Sequence, residues 1–316
     1  MTETVHPVQP APPAPAFDTF ASEDGLLVYR DEGPRSGRPL VLLHAGFADH
    51  TEFDNLVPRL VEHGYRVVAP DARGHGWSAN ASRPFRRTDD LAALLDHLDL
   101  ATPAVLVGVS MGALIAIDTA LEHPSLVAAL VVSGRGLGEP GIEDPWSAAR
   151  QEAQAKALAV GDMSGWLDGL VHWAAGPTRT LEDLDAEVVR HLREMATRTL
   201  VKHTPDEPDR TVAVSDVPAR AEGIAVPVLA VNGTLDSPAC LETVTALMGV
   251  VPHGRTVVIE EAGHHASLEC PERFARVLVD FLDEVHGEAD RRRHGAGSDC
   301  RPSGALGVGA PVVGAP

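Results

Sequence analysis

Cysteine is scarce. Cys240, Cys270 and Cys300 are odd in number, widely spaced and free of any C-x-x-C pair. That excludes a disulfide framework or a zinc site built on cysteine pairs and points to a reducing compartment, here the cytoplasm. No run of about 18 apolar residues occurs, so no membrane-spanning helix is expected. Lysine is nearly absent. Lys156 and Lys202 stand alone among arginines, a skew we read as composition bias rather than function. Acidic residues outnumber basic ones 45 to 26, and the net charge of −19 would repel a nucleic-acid phosphate backbone. The acidic surface is read as a solubility feature and not as a docking surface for a cationic substrate. The Pro/Ala-rich residues 1–16 lack a basic segment followed by an apolar core, so they do not read as a signal peptide. There is no H-E-x-x-H, no phosphate-cradling glycine loop and no paired-carboxylate cluster, so neither metal nor organic cofactor is expected.

What remains is a chain of 316 residues, 44% hydrophobic, long enough for one large α/β domain with an insertion. Residues 1–16 and 287–316 read as disordered ends, and Arg291-Arg292-Arg293 as part of a solvated tail. Between them, strand signals fall at 17–22, 26–32, 40–45, 66–70, 104–109, 127–133, 226–232 and 255–260. Helical spacing falls at 52–63, 89–98, 111–122, 241–249 and 271–286. The short Glu23-Asp24-Gly25 turn joins the first two strands as a hairpin. The later strands are almost continuously apolar and alternate with helices. This predicts a mostly parallel eight-stranded sheet covered on both faces. One connection is far longer than the dozen or so residues a crossover needs. Residues 135–225 therefore read as an inserted helical cap, with helices at 146–159, 165–174 and 181–200, and residues 17–134 and 226–286 as the core.

Gly108-Val109-Ser110-Met111-Gly112 lies where an apolar strand gives way to a helix. A G-x-S-x-G turn in that context holds its serine on a sharp, strained corner above the sheet edge. The glycines let strand and helix approach, and the helix N-terminus favours a developing oxyanion. A serine hydroxyl needs a base, and the base an orienting carboxylate. In open α/β sheets such groups gather beyond the carboxyl ends of the strands. Asp236 follows the strand at 226–232, and His264 follows the strand at 255–260. The order Ser110, Asp236, His264 completes a nucleophile–acid–base set. Asp71 also ends a strand but precedes the elbow, and is read as a loop organiser. His265 is the alternative base. His44 and His75 read as structural hydrogen-bonding groups, and His172 as a surface or pocket residue of the cap.

An oxyanion needs preorganised donors. The amide of Met111, just after the nucleophile, supplies one. Gly46, in the loop after the strand at 40–45, is the best second, with Phe47 as the alternative donor and its ring as a pocket wall. Trp146, Trp166 and Trp173 lie in the cap, where they either line a pocket or fill the cap's own core; Trp173 is the favoured substrate contact.

Together these segments resemble the α/β-hydrolase family. The resemblance rests on Leu42-Leu43-His44-Ala45-Gly46, Asp71-Ala72-Arg73-Gly74-His75-Gly76-Trp77-Ser78, Gly108-Val109-Ser110-Met111-Gly112, Gly233-Thr234-Leu235-Asp236, and the stretch from Gly263-His264 to Pro271-Glu272-Arg273-Phe274. In that last motif the histidine after the glycine is the base, which favours His264 over His265. The methionine after the nucleophile and the Gly-x-Leu-Asp segment are similar to the branch holding 3-oxoadipate enol-lactonase-like hydrolases, carboxylesterases and cofactor-free haloperoxidases. The resemblance implies the α/β-hydrolase fold and a serine esterase or lactonase acting on a small-molecule ester. Haloperoxidase, perhydrolase or C–C lyase chemistry is the alternative, and a small-molecule receptor a further one. His44-Ala45-Gly46 departs from the usual His-Gly-x. Arg135 is a candidate carboxylate-binding residue or, alternatively, a surface salt-bridge partner.

Overall fold

The computed structural model describes residues 17–139, 145–204 and 206–295. The N-terminal arm at 1–16 and the tail beyond 295, both expected to be disordered, lie outside the described residues.

The apolar runs form one sheet: β1 (Asp18–Ser22), β2 (Gly25–Glu32), β3 (Pro39–Leu43), β4 (Arg66–Pro70), β5 (Ala104–Val109), β6 (Val127–Ser133), β7 (Val228–Gly233) and β8 (Gly254–Ile259). Their spatial order is β1-β2-β4-β3-β5-β6-β7-β8. The β1–β2 hairpin is antiparallel, with Ser22 opposite Gly25, and β2 is antiparallel to β4. The remaining neighbours are parallel. The helices are α1 (Val57–Glu62), α2 (Arg87–His97), α3 (Met111–Glu122), α4 (Pro145–Ala159), α5 (Met163–Ala175), α6 (Ala186–Leu200), α7 (Val217–Arg220), α8 (Pro238–Met248), α9 (Ala266–Glu269) and α10 (Pro271–Gly295).

Because side chains alternate along a strand, each central strand feeds two cores. Leu40, Leu42, Val105, Val107, Val131 and Val231 pack with Leu60 of α1 and with Phe274 and Leu278 of α10. Val41, Leu43, Leu106, Leu130, Val132 and Ala230 pack on the other face with Leu94 of α2, Ile115 of α3 and Leu247 of α8. The cap helices α4, α5 and α6 lie between β6 and β7 in the chain, and Val171, Ala174, Leu192 and Met195 join the first of these cores.

Three expected helices differ. The run at 52–63 is split into a 3-10 turn, His50–Phe53, and α1, which begins next to Pro58. Proline has no N–H to give and fits only a first helical turn. Asp49 caps the preceding turn by accepting from the Thr51 amide. The run at 181–200 is split too. Thr180 and Asp183 cap one another across a short 3-10 turn, and Asp185 then caps α6. The last helix runs to Gly295 instead of ending at His286, so 287–295 is not part of a disordered tail. Glu288, Ala289 and Arg291 to Arg293 are good helix formers. Among the described residues, no helix is long and apolar enough to cross a membrane.

Asp118 on α3 gives the fold a pH dependence. Burial foremost, then repulsion from Glu122, pushes its pKa up to about 6. Between about 4, the ordinary carboxylate range, and about 6, the native chain holds a proton that the unfolded chain has lost. Stability contributed by this group therefore falls as pH rises through that window. Asp118→Asn is expected to raise the melting temperature at pH 7 relative to the parent and to do so much less near pH 4. Thermal unfolding at both pH values checks this, and an equal effect at both would remove the assignment.

Candidate active site

Ser110 sits on the turn between β5 and α3 at φ 51° and ψ −110°. This left-handed backbone is strained for a non-glycine residue, at a cost of about 1–3 kcal/mol that the surrounding structure must hold in place. The Ser110 amide donates to the Ser133 carbonyl at the end of β6, 2.8 Å away. A Cβ on Gly108 would overlap the Gly112 backbone, and one on Gly112 would overlap the Leu43 carbonyl. Both glycines are thus required for the close approach of α3 to β5 and β3.

The structure brings Asp236 and His264 together from the ends of β7 and β8. His264 Nδ1 lies 3.0 Å from each Asp236 carboxylate oxygen. Asp236 is 2% exposed in its side chain, and its Oδ1 also accepts from the Ser237 amide at 2.7 Å. An ionised carboxylate only accepts, so Nδ1 carries the proton and Nε2 is left as the basic nitrogen. Burial pulls the imidazole pKa down, but the Asp236 charge and hydrogen bond override it and hold the pKa well above 6.5. His264 and Ser110 line the same cavity of about 450 Å³, a size that suits a small-molecule ligand.

Gly46, Phe47 and Trp173 also line this cavity. The Met111 side chain turns away into the core under α3. A Cβ placed on Gly46 would stand 4.0 Å from the Met111 Cβ, so the two backbones adjoin. The neighbouring Ala45 amide is already committed to Glu52 Oε2 at 2.8 Å. Phe47 has φ 59° and packs edge-on against Trp166 of the cap, with ring centroids 4.8 Å apart. Trp173 donates its indole N–H to Gln154 and packs edge-on against Trp146. It is at once cavity wall and cap core.

His265 reaches the cavity too, but its Nδ1 donates to Glu52 Oε1 at 2.8 Å rather than to Asp236. Asp71 organises its loop, accepting from the His50 amide and ring and from the Trp77 amide. His44 accepts from the Ala72 amide and donates to the Ala45 carbonyl. Burial pushes the pKa of His75 down to about 3, so it stays neutral. His172 donates to the Asp168 carbonyl one turn back in α5.

Four contributors escape a sequence reading. Glu52 ties the Ala45 amide to His265 and fixes the loop beside the cavity. Cys240, in the first turn of α8, places its sulfur within 4.8 Å of the Asp236 and His264 donor atoms. Asn232 Oδ1 accepts from the Gly134 amide at 2.9 Å. Gly134 itself has φ +69°, and a Cβ there would stand 2.8 Å from His264 Cε1 and 3.3 Å from Asp236 Oδ2. The only signal for it in the sequence is a glycine directly after β6. Gly134→Ala is expected to displace the imidazole and lower kcat/KM by about 10–100-fold, since misplacements near 1 Å carry losses of that order, while the circular dichroism spectrum stays that of the parent. A rate near the parent's would contradict this role.

Among the described residues, two groups of donor atoms lie close enough to converge on a cation: Asp236, Cys240 and His264, and Asp49, His50 and Asp71. Asp236 is bonded to His264, Asp49 to Arg198 and Thr51, and Asp71 to His50. The carboxylates of both groups are thus satisfied within the fold.

The cap is tied down beside the histidine loop. Arg179, just beyond α5, pairs with Glu269 at 2.8 Å, and Glu269 accepts from the Gly263 amide at 3.0 Å. Arg198 of α6 pairs with the buried Asp49 at 2.8 Å.

Residues 40–277 match the family described as the alpha/beta hydrolase family. An AB hydrolase superfamily protein of Gibberella zeae is 36% identical over 132 residues, 41% of this chain; the match spans only 46% of that relative's length. A putative non-heme bromoperoxidase, BpoC, of Mycobacterium tuberculosis is 30% identical over 82% of this chain and 98% of its own. A pimeloyl-[acyl-carrier protein] methyl ester esterase of Neisseria meningitidis is 26% identical over 81% of this chain and 98% of its own. With the sheet order, the elbow and these matches in agreement, the chain belongs to the alpha/beta hydrolase family.

Proposed function

We propose that this protein is a serine hydrolase that cleaves a carboxylic ester or lactone through an acyl-enzyme. The reading is carried by one observation: Asp236 holds the ring of His264 in a cavity shared with Ser110 on its strained turn. Ser110 Oγ attacks the carbonyl while His264 Nε2 takes its proton, and Asp236 fixes the tautomer and stabilises the imidazolium. The amides of Met111, at the start of α3, and of Gly46 receive the oxyanion, with the helix dipole assisting. His264 then protonates the leaving alkoxide. Water, deprotonated in turn by His264, attacks the acyl-enzyme and frees Ser110. Phe47 and Trp173 form the apolar walls that seat the substrate. The widely spaced cysteines, with Cys240 and Cys270 free, suit a reducing cytoplasm.

The test is acid release, followed by pH-stat, from a panel of short-chain esters and of lactones. Turnover of one class well above the uncatalysed rate supports the reading. Its absence across the panel, together with tight ligand binding, favours a receptor. The similarity to a bromoperoxidase over most of both chains favours one other reading, peroxide-dependent chemistry at the same serine. Bromination of a phenol dye that outpaces ester hydrolysis would select it.

A further inference from the structure

A second histidine–carboxylate pair lines the cavity beside the first. The side chain of His265, next in the chain to His264, is 11% exposed, and that of its partner Glu52 is fully buried. His265 Nδ1 lies 2.8 Å from Glu52 Oε1, and Glu52 Oε2 accepts from the Ala45 amide at 2.8 Å. An ionised carboxylate only accepts, so Nδ1 of His265 carries the proton and Nε2 is left as an acceptor. Among the described residues nothing donates to that nitrogen, while the ring borders the cavity that holds Ser110 and His264. Much of the remaining wall is apolar, from Phe47, Leu170, Val171, Trp173, Leu192 and Met195. An acceptor left without a donor in such surroundings is costly, and a donor held there gains more than it would in water.

The ring centroids of His264 and His265 stand 5.4 Å apart, with the planes at 85°. One water, with hydrogen bonds of about 2.8 Å to each side, bridges acceptors roughly 4.5–5.5 Å apart. The ring spacing matches that span. In acylation the nucleophile is Ser110 Oγ, which carries one proton and needs one acceptor. In deacylation the nucleophile is water, which carries two. One proton goes to His264 Nε2, and the other O–H needs a second acceptor.

We propose that His265, held by Glu52, is a further catalytic residue that seats the water of deacylation. The water donates one O–H to His264 Nε2 and the other to His265 Nε2. Its oxygen attacks the acyl carbon as His264 takes the first proton. The second proton stays on that oxygen, in its hydrogen bond to His265. The bond from the acyl carbon to Ser110 Oγ then breaks, His264 returns its proton to Oγ, and the free acid leaves. This inference rests on the hydrolase reading for its acyl-enzyme.

Methanol as a rival acyl acceptor tests it, because methanol has a single O–H and gains nothing from His265. With p-nitrophenyl acetate at a fixed methanol concentration, the products are acetic acid and methyl acetate. Their ratio cancels any general loss in a damaged variant. His265→Phe should lower the acid-to-ester ratio about 3–10-fold, the usual worth of one hydrogen bond. Glu52→Gln should lower it likewise, since an amide can offer N–H to Nδ1 and turn Nε2 from acceptor to donor. His265→Gln, which keeps a side-chain acceptor, should recover part of the ratio. Acetylated Ser110 should also accumulate in His265→Phe, seen as added mass on the intact protein. A ratio unchanged from the parent's, with both products falling together or not at all, would overturn the proposal and leave the hydrolase reading standing. A parent that forms neither product nor acetylated serine would count against the hydrolase reading and take the proposal with it.

Discussion

Ser110→Ala is expected to lower kcat/KM on the best ester by about 10⁴–10⁶-fold, the range seen when a serine nucleophile is removed from a working triad. The substitution removes only the attacking oxygen. The proposed donors at Gly46 and Met111 and the His264–Asp236 pair remain, so a residue of catalysis above the water rate should persist. Alanine also tolerates φ 51° poorly, as serine does, so the strain at the elbow is not relieved and the fold should be kept. Steady-state kinetics with active-site titration checks the loss, and thermal unfolding checks the fold. Activity within tenfold of the parent would place the nucleophile elsewhere.

Asp236→Asn should cost about 10⁴-fold in kcat, because an amide can offer N–H to Nδ1 and leave the imidazole in the wrong tautomer. It should also move the pH profile. Ester cleavage needs neutral His264, so the rate rises with pH through that group's pKa. In the free parent enzyme, Asp236 holds that pKa well above 6.5 against the pull of burial. The ascending limb of kcat/KM should accordingly lie well above 6.5. Without the carboxylate charge, burial prevails and the residual activity should titrate at lower pH. A limb that stays in place in Asp236→Asn would show that another group governs it.

The sheet and the placement of Ser110, Asp236 and His264 at strand ends were legible because their signals are local. Strands 66–70, 104–109 and 127–133 fall where expected, since buried parallel strands are apolar throughout. Ser110, Asp236 and His264 each stand at the end of a strand, where fold geometry alone gathers them. The break between 53 and 57 was hidden by its own packing. Phe53, Leu56, Val57 and Leu60 are all fully buried and keep a helical period across it, while Pro58 and the Asp49 cap divide the chain underneath. Gly134 could not be read because its constraint is the ring of His264, far along the chain. The pairing of Glu52 with His265 is equally long-range. Arg135 illustrates a different limit. It forms the surface salt bridge that a sequence reading allows, yet the same side chain also lines the cavity.

The most direct test of the central claim is the mass of the intact protein after treatment with a fluorophosphonate, followed by mapping of the labelled peptide. The reagent reports an activated serine without requiring the natural substrate. The account predicts a single adduct on Ser110, absent from His264→Ala. A protein that stays unlabelled, or an adduct on another residue, would contradict it.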